Sequence, residues 1–287
     1  MELHRKIYPG ISFSDPSFRV EDAGRYELNI FLNDSQFLFS VTDPDAKEVR
    51  HVQSFNFFQV NNQREFTDSV KLILDSEDLF YQPFAKSRVA FYHEHSTLVP
   101  AELFDVAKAP AYAALNLEES DDTVTAYDML TEPHVAVVYA LPAGVKNLLE
   151  QKFKNIESLH ASTPLLRQLL NRSAQIAEPA LFVYVQPRVL LVLHAKKGKP
   201  VFFNAFSYTT PEDFVYYILY VCQHLHLDPE SVQLHLLGEI VKDSVLYEFT
   251  YKYVRHIHFG KRPDGVKIHD GFNMPEHFYY NLFCIGL

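Results

Sequence analysis

The side chains in this sequence that could hold a metal ion are its histidines. There are 14, and six of them form three His-x-His pairs: His93/His95, His224/His226 and His256/His258. Residues two apart on a β-strand share a face, so two such imidazoles can bind the same ion. Only His256/His258 lie in a segment with strand character, and no cysteine partner or His-Glu-x-x-His spacing supports any pair. We therefore predict structural or surface histidines and no metal site. A metal-dependent hydrolase that uses the His pairs remains the least favoured of three hypotheses for the function.

Nucleophilic chemistry has little support in the sequence. No Gly-x-Ser-x-Gly turn is present, so the usual strained elbow that exposes a serine nucleophile is missing. The two cysteines, Cys222 and Cys284, each lie in an apolar helical pattern. Such a pattern is typical of buried thiols in a reducing compartment rather than of a disulfide. The sequence identifies no catalytic residue and no cofactor, and it favours a protein that is not an enzyme.

Length and composition exclude several classes of protein. A chain of 287 residues with 47% apolar and 22% charged residues is typical of a globular protein of two domains. The net charge of −10 argues against a nucleic-acid binder, which needs a basic surface. The longest apolar runs, such as residues 189–195, are far shorter than the roughly 20 residues that span a bilayer. Because the N-terminal residues also lack the apolar segment of a signal peptide, we expect a cytoplasmic protein without an integral membrane segment.

Hydrophobic periodicity predicts two copies of one unit, in which a three-stranded meander is followed by a helix, a strand and a helix. In the first copy Leu28, Ile30 and Leu32 alternate with other residues, which is the period of a strand. Asn33-Asp34-Ser35 and Gln186-Pro187 are predicted turns, one in each meander. The predicted strands are residues 26–32, 36–41 and 48–58, then 181–186, 189–195 and 200–206.

The remaining elements complete the two halves. Residues 135–141 are almost wholly apolar, which predicts a strand that is covered on both faces. A helix from Pro211 should be capped by Thr209 or Thr210, and residues 1–25 should form an arm that packs on the body. Further predicted helices are a segment from Phe66 and residues 100–115, 143–153, 164–176, 242–253 and 275–284. Further predicted strands are residues 88–93, 123–129, 156–160, 232–237 and 254–259.

This order of elements resembles the duplicated ribonuclease-H-like fold of the actin and Hsp70 ATPase superfamily. Specifically, the chain is similar to a bacterial family of unknown function with a degenerate actin-like fold. The resemblance covers roughly residues 26–259 and implies an α/β protein with mixed sheets and two subdomains that face each other across a cleft. The first subdomain would be residues 1–163. The second would be residues 164–287, with a linking helix at 164–176 and a C-terminal segment at 261–287.

The resemblance also implies where a nucleotide would lie. Active members of the superfamily have an Asp-x-Gly turn in each meander, where backbone amides and the Asp handle phosphate and the water shell of Mg²⁺. Here the turns contain Asp34 without a glycine and Arg188 without an aspartate. The adenosine-contacting strand, which ends in Gly-Gly followed by a Ser, corresponds to Gly238, Glu239 and Ser244. These five residues are the candidate nucleotide site. We favour a plainer interpretation, in which the meander turns are ordinary hairpin turns, Gly238 serves a strand-to-helix turn that needs a positive φ, and Asp243 or Ser244 caps the following helix.

The residues therefore favour a non-catalytic, cytoplasmic protein of actin-like fold that acts as a protein-interaction or scaffold module. Bacterial relatives in the superfamily include pilus-assembly and cell-division scaffold proteins, and Tyr and Phe are abundant here as interface anchors. The alternative is a residual nucleotide-binding protein or weak ATPase that uses the cleft. A nuclease is disfavoured because Glu27 is the only acid on the first strand of either meander.

Overall fold

The computed structural model describes residues 6–93, 96–115 and 122–287, which divide into two compact units. The N-terminal unit contains the residues up to Pro164 together with Asp264–Asn273 and Asn281–Leu287, and the C-terminal unit contains Leu165–Pro263 and Met274–Tyr280. The strands are β1 (Ile7–Ser14), β2 (Glu27–Leu32), β3 (Gln36–Asp43), β4 (Glu48–Phe57), β5 (Lys86–Phe91), β6 (Ser96–Pro100), β7 (Thr123–Leu130), β8 (Val135–Pro142), β9 (Glu157–His160), β10 (Ala180–Gln186), β11 (Val189–Lys196), β12 (Lys199–Ser207), β13 (Gln233–Gly238), β14 (His256–Phe259) and β15 (Lys267–Ile268). The α-helices are α1 (Gln63–Ser76), α2 (Ala109–Ala113), α3 (Ala143–Lys152), α4 (Ser162–Ser173), α5 (Pro211–His224), α6 (Val245–Tyr251) and α7 (Tyr280–Cys284).

The main sheet of the N-terminal unit is built on the first meander. Its strand order is β1-β4-β3-β2-β5-β9, and β15 also pairs with β4. β2, β3 and β4 are antiparallel neighbours, whereas β5 and β9 extend the sheet in the parallel direction of β2. One face of the meander is aromatic: Phe80, which follows α1, has its ring 4.8 Å from Phe39 and 5.8 Å from Phe153. The alternation read from the sequence thus marks a face that is buried in an aromatic core.

A second sheet of the N-terminal unit has three strands in the order β6-β8-β7, and we call it the small sheet. The apolar strand β8 lies in its centre, and Ala136, Val137 and Val138 are buried, so the prediction of a covered strand is confirmed. The predicted helix over residues 100–115 is wrong. Pro100 ends a strand, short 3₁₀ turns follow, and only the five residues of α2 are α-helical. Pro110 explains the short helix, since it is tolerated in the first turn but not in the interior.

The C-terminal unit contains a five-stranded sheet in the order β12-β11-β10-β13-β14. One face packs against α5, where Phe214, Ile218 and Cys222 join Val183 and Val192 in a fully buried cluster. α5 begins with a capping box, in which the Thr210 hydroxyl accepts a hydrogen bond from Asp213 N and the Asp213 carboxylate accepts one from Thr210 N. Of the two capping residues predicted, the structure thus selects Thr210.

The two meanders are topologically equivalent. Reading β4-β3-β2-β5-β9 beside β12-β11-β10-β13-β14 gives the same strand order, and in both sheets the last two strands are parallel to the first strand of the meander. The meanders belong to separate sheets, as predicted. The fold class is therefore α/β with mixed sheets, each with helices packed on it.

Elements near the chain ends and in the last third differ from the sequence predictions. The predicted arm contains a strand, β1, which pairs with β4 at the sheet edge, and residues 1–5 lie outside the described part. α6 is shorter than the predicted helix at 242–253, and α7 has five residues where ten were predicted. Cys222 and Cys284 are both free and buried, as predicted. In the described part of the chain, no helix is both long and apolar enough to cross a membrane.

Candidate functional site

The turn between β2 and β3 holds Asp34, the candidate Mg²⁺-organising acid. Its side chain is exposed, whereas the neighbouring Asn33 is buried. The Asn33 side-chain oxygen accepts hydrogen bonds from Ser35 N and from the Ser35 hydroxyl, both at 3.0 Å. Asn33 N donates to Gln36 O across the turn at 3.0 Å. The amides of Asn33 and Ser35 therefore already have acceptors inside the turn, and a phosphate would have to displace those bonds.

The corresponding turn in the C-terminal unit, between β10 and β11, holds Arg188. Pro187 precedes it and has no amide hydrogen, and Arg188 has a φ of +67°. A proline followed by a positive φ is the geometry of a type II turn, in which glycine or asparagine is usual at the second position. Arg188 is exposed and forms no ion pair with any described residue, and its carbonyl accepts a hydrogen bond from Tyr208 N at 2.9 Å. The turn offers a positive charge but lacks the glycine amides of a phosphate loop.

Gly238 lies at the end of β13, where the chain must have a glycine. Its φ is +84°, and a Cβ built there would lie 2.2 Å from Val185 O on the neighbouring strand β10. Gly238 N donates to His277 O at 2.8 Å, and Glu239 N donates to Val185 O at 2.9 Å. The predicted strand-to-helix turn with a positive φ at Gly238 is confirmed. Close packing of β13 on β10 accounts for this glycine without a ligand.

Glu239 lies among two tyrosines that the sequence did not single out. Burial and, to a lesser extent, the nearby Glu239 charge together raise the pKa of Tyr279 to about 12. Burial also raises the pKa of Tyr208, with the Glu239 charge as a lesser cause. The Tyr208 hydroxyl donates to Gln186 O at 2.8 Å, which holds it beside the β10–β11 turn. A carboxylate at this position places a negative charge where the superfamily pattern has a glycine beside the nucleotide.

Ser244 is the N-cap of α6. Its hydroxyl accepts a hydrogen bond from Tyr247 N at 3.3 Å and donates one to Val241 O at 2.6 Å. The prediction that Asp243 or Ser244 caps this helix is confirmed for Ser244. Both hydrogen-bonding roles of the hydroxyl are used locally, which leaves one lone pair for anything else.

Of the five candidate residues, the structure brings three to one end of the C-terminal sheet. Gly238 pairs with Val185 in β10, Glu239 is the next residue, and Arg188 lies in the turn that follows β10. Ser244 lies at the start of the next helix, and Asp34 belongs to the other unit. The backbone places the group as strand topology requires, since β10 and β13 are parallel and end at the same edge.

The histidine pairs do not assemble a metal centre in the described residues. No group of three or more His, Cys, Asp or Glu side chains there has a metal-binding arrangement. His256 and His258 lie on one face of β14, as predicted, but His258 Nε2 is 2.9 Å from the Gln233 side-chain oxygen. The His235 ring lies 5.3 Å from that of His258, a neighbour that the sequence did not reveal. His95 lies outside the described residues.

A buried polar cluster in the N-terminal unit also escaped the sequence analysis. The Asp128 carboxylate on β7 accepts hydrogen bonds from the Tyr139 hydroxyl at 2.8 Å, from His160 N at 2.7 Å and from the Thr163 hydroxyl at 2.6 Å. Burial lowers the pKa of His160 to about 4, so the ring is neutral, and its Nε2 donates to His93 O at 3.1 Å. Asp128 thus ties the small sheet to the first turn of α4, where a negative charge is favourable.

Several apolar side chains are exposed around the small sheet. The Phe104 ring lies 5.0 Å from the ring of Tyr127, which joins the segment before α2 to strand β7. Leu103 is 70% exposed, and Met129 and Tyr127 on β7 are also exposed. We call Leu103, Val106, Tyr127 and Met129 the small-sheet surface. Exposed apolar groups of this kind mark interaction sites more often than isolated exposed residues do.

Comparisons with known proteins agree with this fold. A family model described as "Protein of unknown function (DUF3822)" matches residues 15–257. A search of the curated proteins found no match. Among solved structures, a protein from Bacteroides thetaiotaomicron with actin-like ATPase fold and unknown function is similar with a TM-score of 0.76 at 20% identity, over 85% of this chain and 93% of that chain.

Two further solved structures show the same likeness at lower similarity. A structure of the PilM–PilN type IV pilus biogenesis complex matches with a TM-score of 0.57 at 12% identity, over 90% of this chain and 97% of that chain. The ethanolamine utilization protein EutJ from Carboxydothermus hydrogenoformans matches with a TM-score of 0.51 at 7% identity, over 96% and 92%. At these identities the comparisons establish the fold alone. The predicted actin-like ATPase fold is confirmed.

Proposed function

The chain belongs to the family of unknown function DUF3822, and from that premise we propose that it is a non-catalytic, cytoplasmic protein of actin-like ATPase fold that works by binding another protein. The observation that carries the proposal is the construction of the two turns at which this fold would hold phosphates. In one turn the Asn33 side chain already binds Ser35 N, and in the other Pro187 has no amide hydrogen. Phosphoryl transfer needs donors and a metal that are preorganised around the phosphate.

The small-sheet surface supports the interaction part of the proposal. Leu103 and Val106 are 70% and 57% exposed, and Tyr127 and Met129 on β7 are 40% and 45% exposed. Apolar side chains are costly in water, and a partner that covers them gains about 25 cal/mol for each Å² buried. The structure of the PilM–PilN complex contains a similar chain in association with another protein. We propose a comparable mode of action for this chain, through a partner whose contact surface is apolar.

The alternative function is residual nucleotide binding, and the exposed Arg188 is the observation that favours it. An unpaired guanidinium attracts phosphate groups of any source, so weak association with ATP would not require a functional loop. Hydrolysis of ATP would require a functional loop, because the attacking water and the leaving group must be positioned.

Titration of the purified protein with ATP and Mg²⁺ by calorimetry, together with thermal melts, separates the two functions. We expect no Mg²⁺-dependent stabilisation and no release of phosphate. A ligand at 100 times its dissociation constant would stabilise the fold by about 2.7 kcal/mol. A Mg²⁺-dependent effect of that size, lost in Asp34→Ala, would overturn the non-catalytic assignment.

The interaction part is tested by comparing partner capture from the native host with the wild type and with Met129→Glu. The substitution places a charge on the small-sheet surface, so we expect a partner that is retained by the wild type to be lost. Tyr253→Glu, at an exposed tyrosine of the other unit, is the matched control and should retain the partner. Equal retention by Met129→Glu would exclude the small-sheet surface as the binding site.

A further inference from the structure

Strand β12 leaves one edge of the C-terminal sheet open. It is the outermost strand on that side, and its nine residues pair only with β11 among the described strands. Tyr208 N donates to Arg188 O, which fixes the hydrogen-bonded positions of this antiparallel pair. Because such positions alternate, the backbone groups of Phe202, Asn204 and Phe206 face β11, and those of Phe203, Ala205 and Ser207 face outward. The alternation is interrupted before Phe202, where the register shifts and Val201 has no partner on β11. The edge is a ready template for another strand.

Local features agree with that assignment of the outward groups. Ala205 N, an outward donor, is bound by the side-chain oxygen of Asn204 at 3.0 Å, as expected for an amide that has lost its strand partner. The residues that usually protect an edge, a lysine and a proline, stand only at the start of β12, at Lys199 and Pro200. Because of the register shift, Pro200 pairs with Ala195 at a non-hydrogen-bonded position and faces outward, so the open part of the edge begins at Phe203.

Helix α5 adds an aromatic surface along the same edge. The ring of Tyr217 stacks on Phe206 at 4.7 Å, Tyr220 lies 6.4 Å from Phe206, and the His224 ring lies 6.3 Å from Phe202. Tyr216 and Tyr220 are 60% and 45% exposed, and Val201 on the strand is 54% exposed. An added strand would therefore have a hydrogen-bonding edge beside it and an aromatic helix flank along one of its faces.

The charges along this edge are arranged with opposite signs at its two ends. Lys196, Lys197 and Lys199 are exposed at the start of β12 and form no ion pair with any described residue. Glu212 and Asp213 lie in the first turn of α5, which follows the end of β12. In a chain with a net charge of −10, three unpaired lysines in four positions are a local exception. A partner strand must therefore bring acidic groups to the lysine end.

A second copy of this chain satisfies each of these requirements. If two β12 strands run antiparallel about a two-fold axis at Ala205, then Phe203 of one copy faces Ser207 of the other. Both positions have outward backbone groups, so the register is self-consistent. The lysine turn of each copy then lies beside the acidic first turn of the other copy's α5. The aromatic flanks of the two α5 helices come to lie along the same face of the joined sheet.

We propose that this chain forms a symmetric dimer through β12, in which the two five-stranded sheets join into one continuous sheet. The proposal uses only residues of the C-terminal unit and does not depend on the proposed non-catalytic function. The edge supplies the backbone hydrogen bonds, Tyr216 and Tyr220 supply the apolar contact, and the lysine and acidic ends fix the direction of pairing.

Sedimentation equilibrium of the full chain over the micromolar range tests the proposal. The monomer mass is 33.2 kDa, and we expect the wild type to reach twice that mass. Ala205→Pro removes one outward amide while keeping an apolar residue, and it should weaken dimerisation by at least tenfold, whereas Ala205→Ser keeps the amide and should not. A wild type that stays monomeric throughout, or a dimer that Ala205→Pro does not weaken, would overturn the proposal.

A charge exchange tests the register without touching the strand. Lys197→Glu and Glu212→Lys should each weaken the dimer, and the two together in one chain should restore part of the affinity, because each copy again presents opposite charges to the other. Hydrogen exchange of the wild type adds a readout that does not rely on a variant. The Phe203 amide should become protected as the protein concentration rises, and protection that is independent of concentration would contradict the pairing.

Discussion

Gly238→Ala is the substitution that most directly tests the packing at the candidate site. The added methyl group would lie 2.2 Å from Val185 O and 3.0 Å from Val185 N, which are backbone atoms of the adjacent strand β10. Neither atom can rotate away as a side chain would. The overlap is therefore relieved only if β13 moves relative to β10. That movement would stretch the hydrogen bonds Glu239 N to Val185 O and Gly238 N to His277 O.

The expected loss of stability has two parts. An alanine at a φ of +84° costs about 1–2 kcal/mol in backbone strain, before any contact is considered. The two stretched hydrogen bonds add about 1 kcal/mol each if they are lost. The total is about 3–4 kcal/mol, of which about 2 kcal/mol comes from the encounter with β10.

Gly265→Ala is a matched control, because Gly265 has a φ of +86° but nothing within 4 Å of the position of a Cβ. It carries the same backbone strain and the same gain from a stiffer unfolded chain, so the difference between the two variants isolates the contact with β10. Urea denaturation followed by far-UV circular dichroism gives both free energies of unfolding. Equal losses in the two variants would refute the close packing of β13 on β10.

Three further predictions concern single side chains. Ser244→Ala should cost about 1 kcal/mol of stability, because α6 loses its N-cap. Asp243 does not cap the helix, so Asp243→Ala is the control in the same thermal melts. Folding stability should fall as the pH falls from 6.5 towards 4, because His160 stays neutral in the fold and takes up a proton only when unfolded. The shift corresponds to about 3 kcal/mol, and His160→Gln should remove that part of the pH dependence of the urea midpoint. Asn281→Leu should leave stability unchanged or raise it by up to about 1 kcal/mol. The reason is that the side-chain nitrogen and oxygen of this fully buried residue have no hydrogen-bond partner among the described residues. A lower melting temperature of the variant would contradict this prediction.

The order of the elements could be predicted from the sequence because the period of the apolar residues survives in it. Leu28, Ile30 and Leu32 lie together on one face of β2 and are buried, and the strands of the second meander were predicted within one residue of their observed ends. The turns at Asn33 and Pro187 could be recognised because their residue types have strong conformational preferences.

The predictions that failed concern segments whose structure depends on contacts between residues far apart in the sequence. β1 pairs with β4 across more than 30 residues of sequence, and nothing local marks it as a strand. Residues 100–115 have the apolar spacing of a helix, but their apolar side chains pack on the small sheet in short turns. Glu239 and Tyr279 are 40 positions apart, and the acid meets the phenol only because the chain returns to the C-terminal unit near its end.

The residues of the nucleotide pattern that this chain does contain have structural uses of their own. Gly238 is required by a positive φ and by the backbone of β10, and Ser244 is required by the free amides of α6. The meander turns contain no glycine, and their own residues, among them Ser35 and Arg188, are accommodated without a ligand. A matching glycine or serine in this fold is therefore weak support for a nucleotide site, since strand packing and helix capping demand the same residue types. Gly238→Ala and Ser244→Ala should accordingly lower the stability of the fold and leave its response to ATP unchanged. If these residues formed a nucleotide site, each substitution would reduce both the stability and the response to ATP.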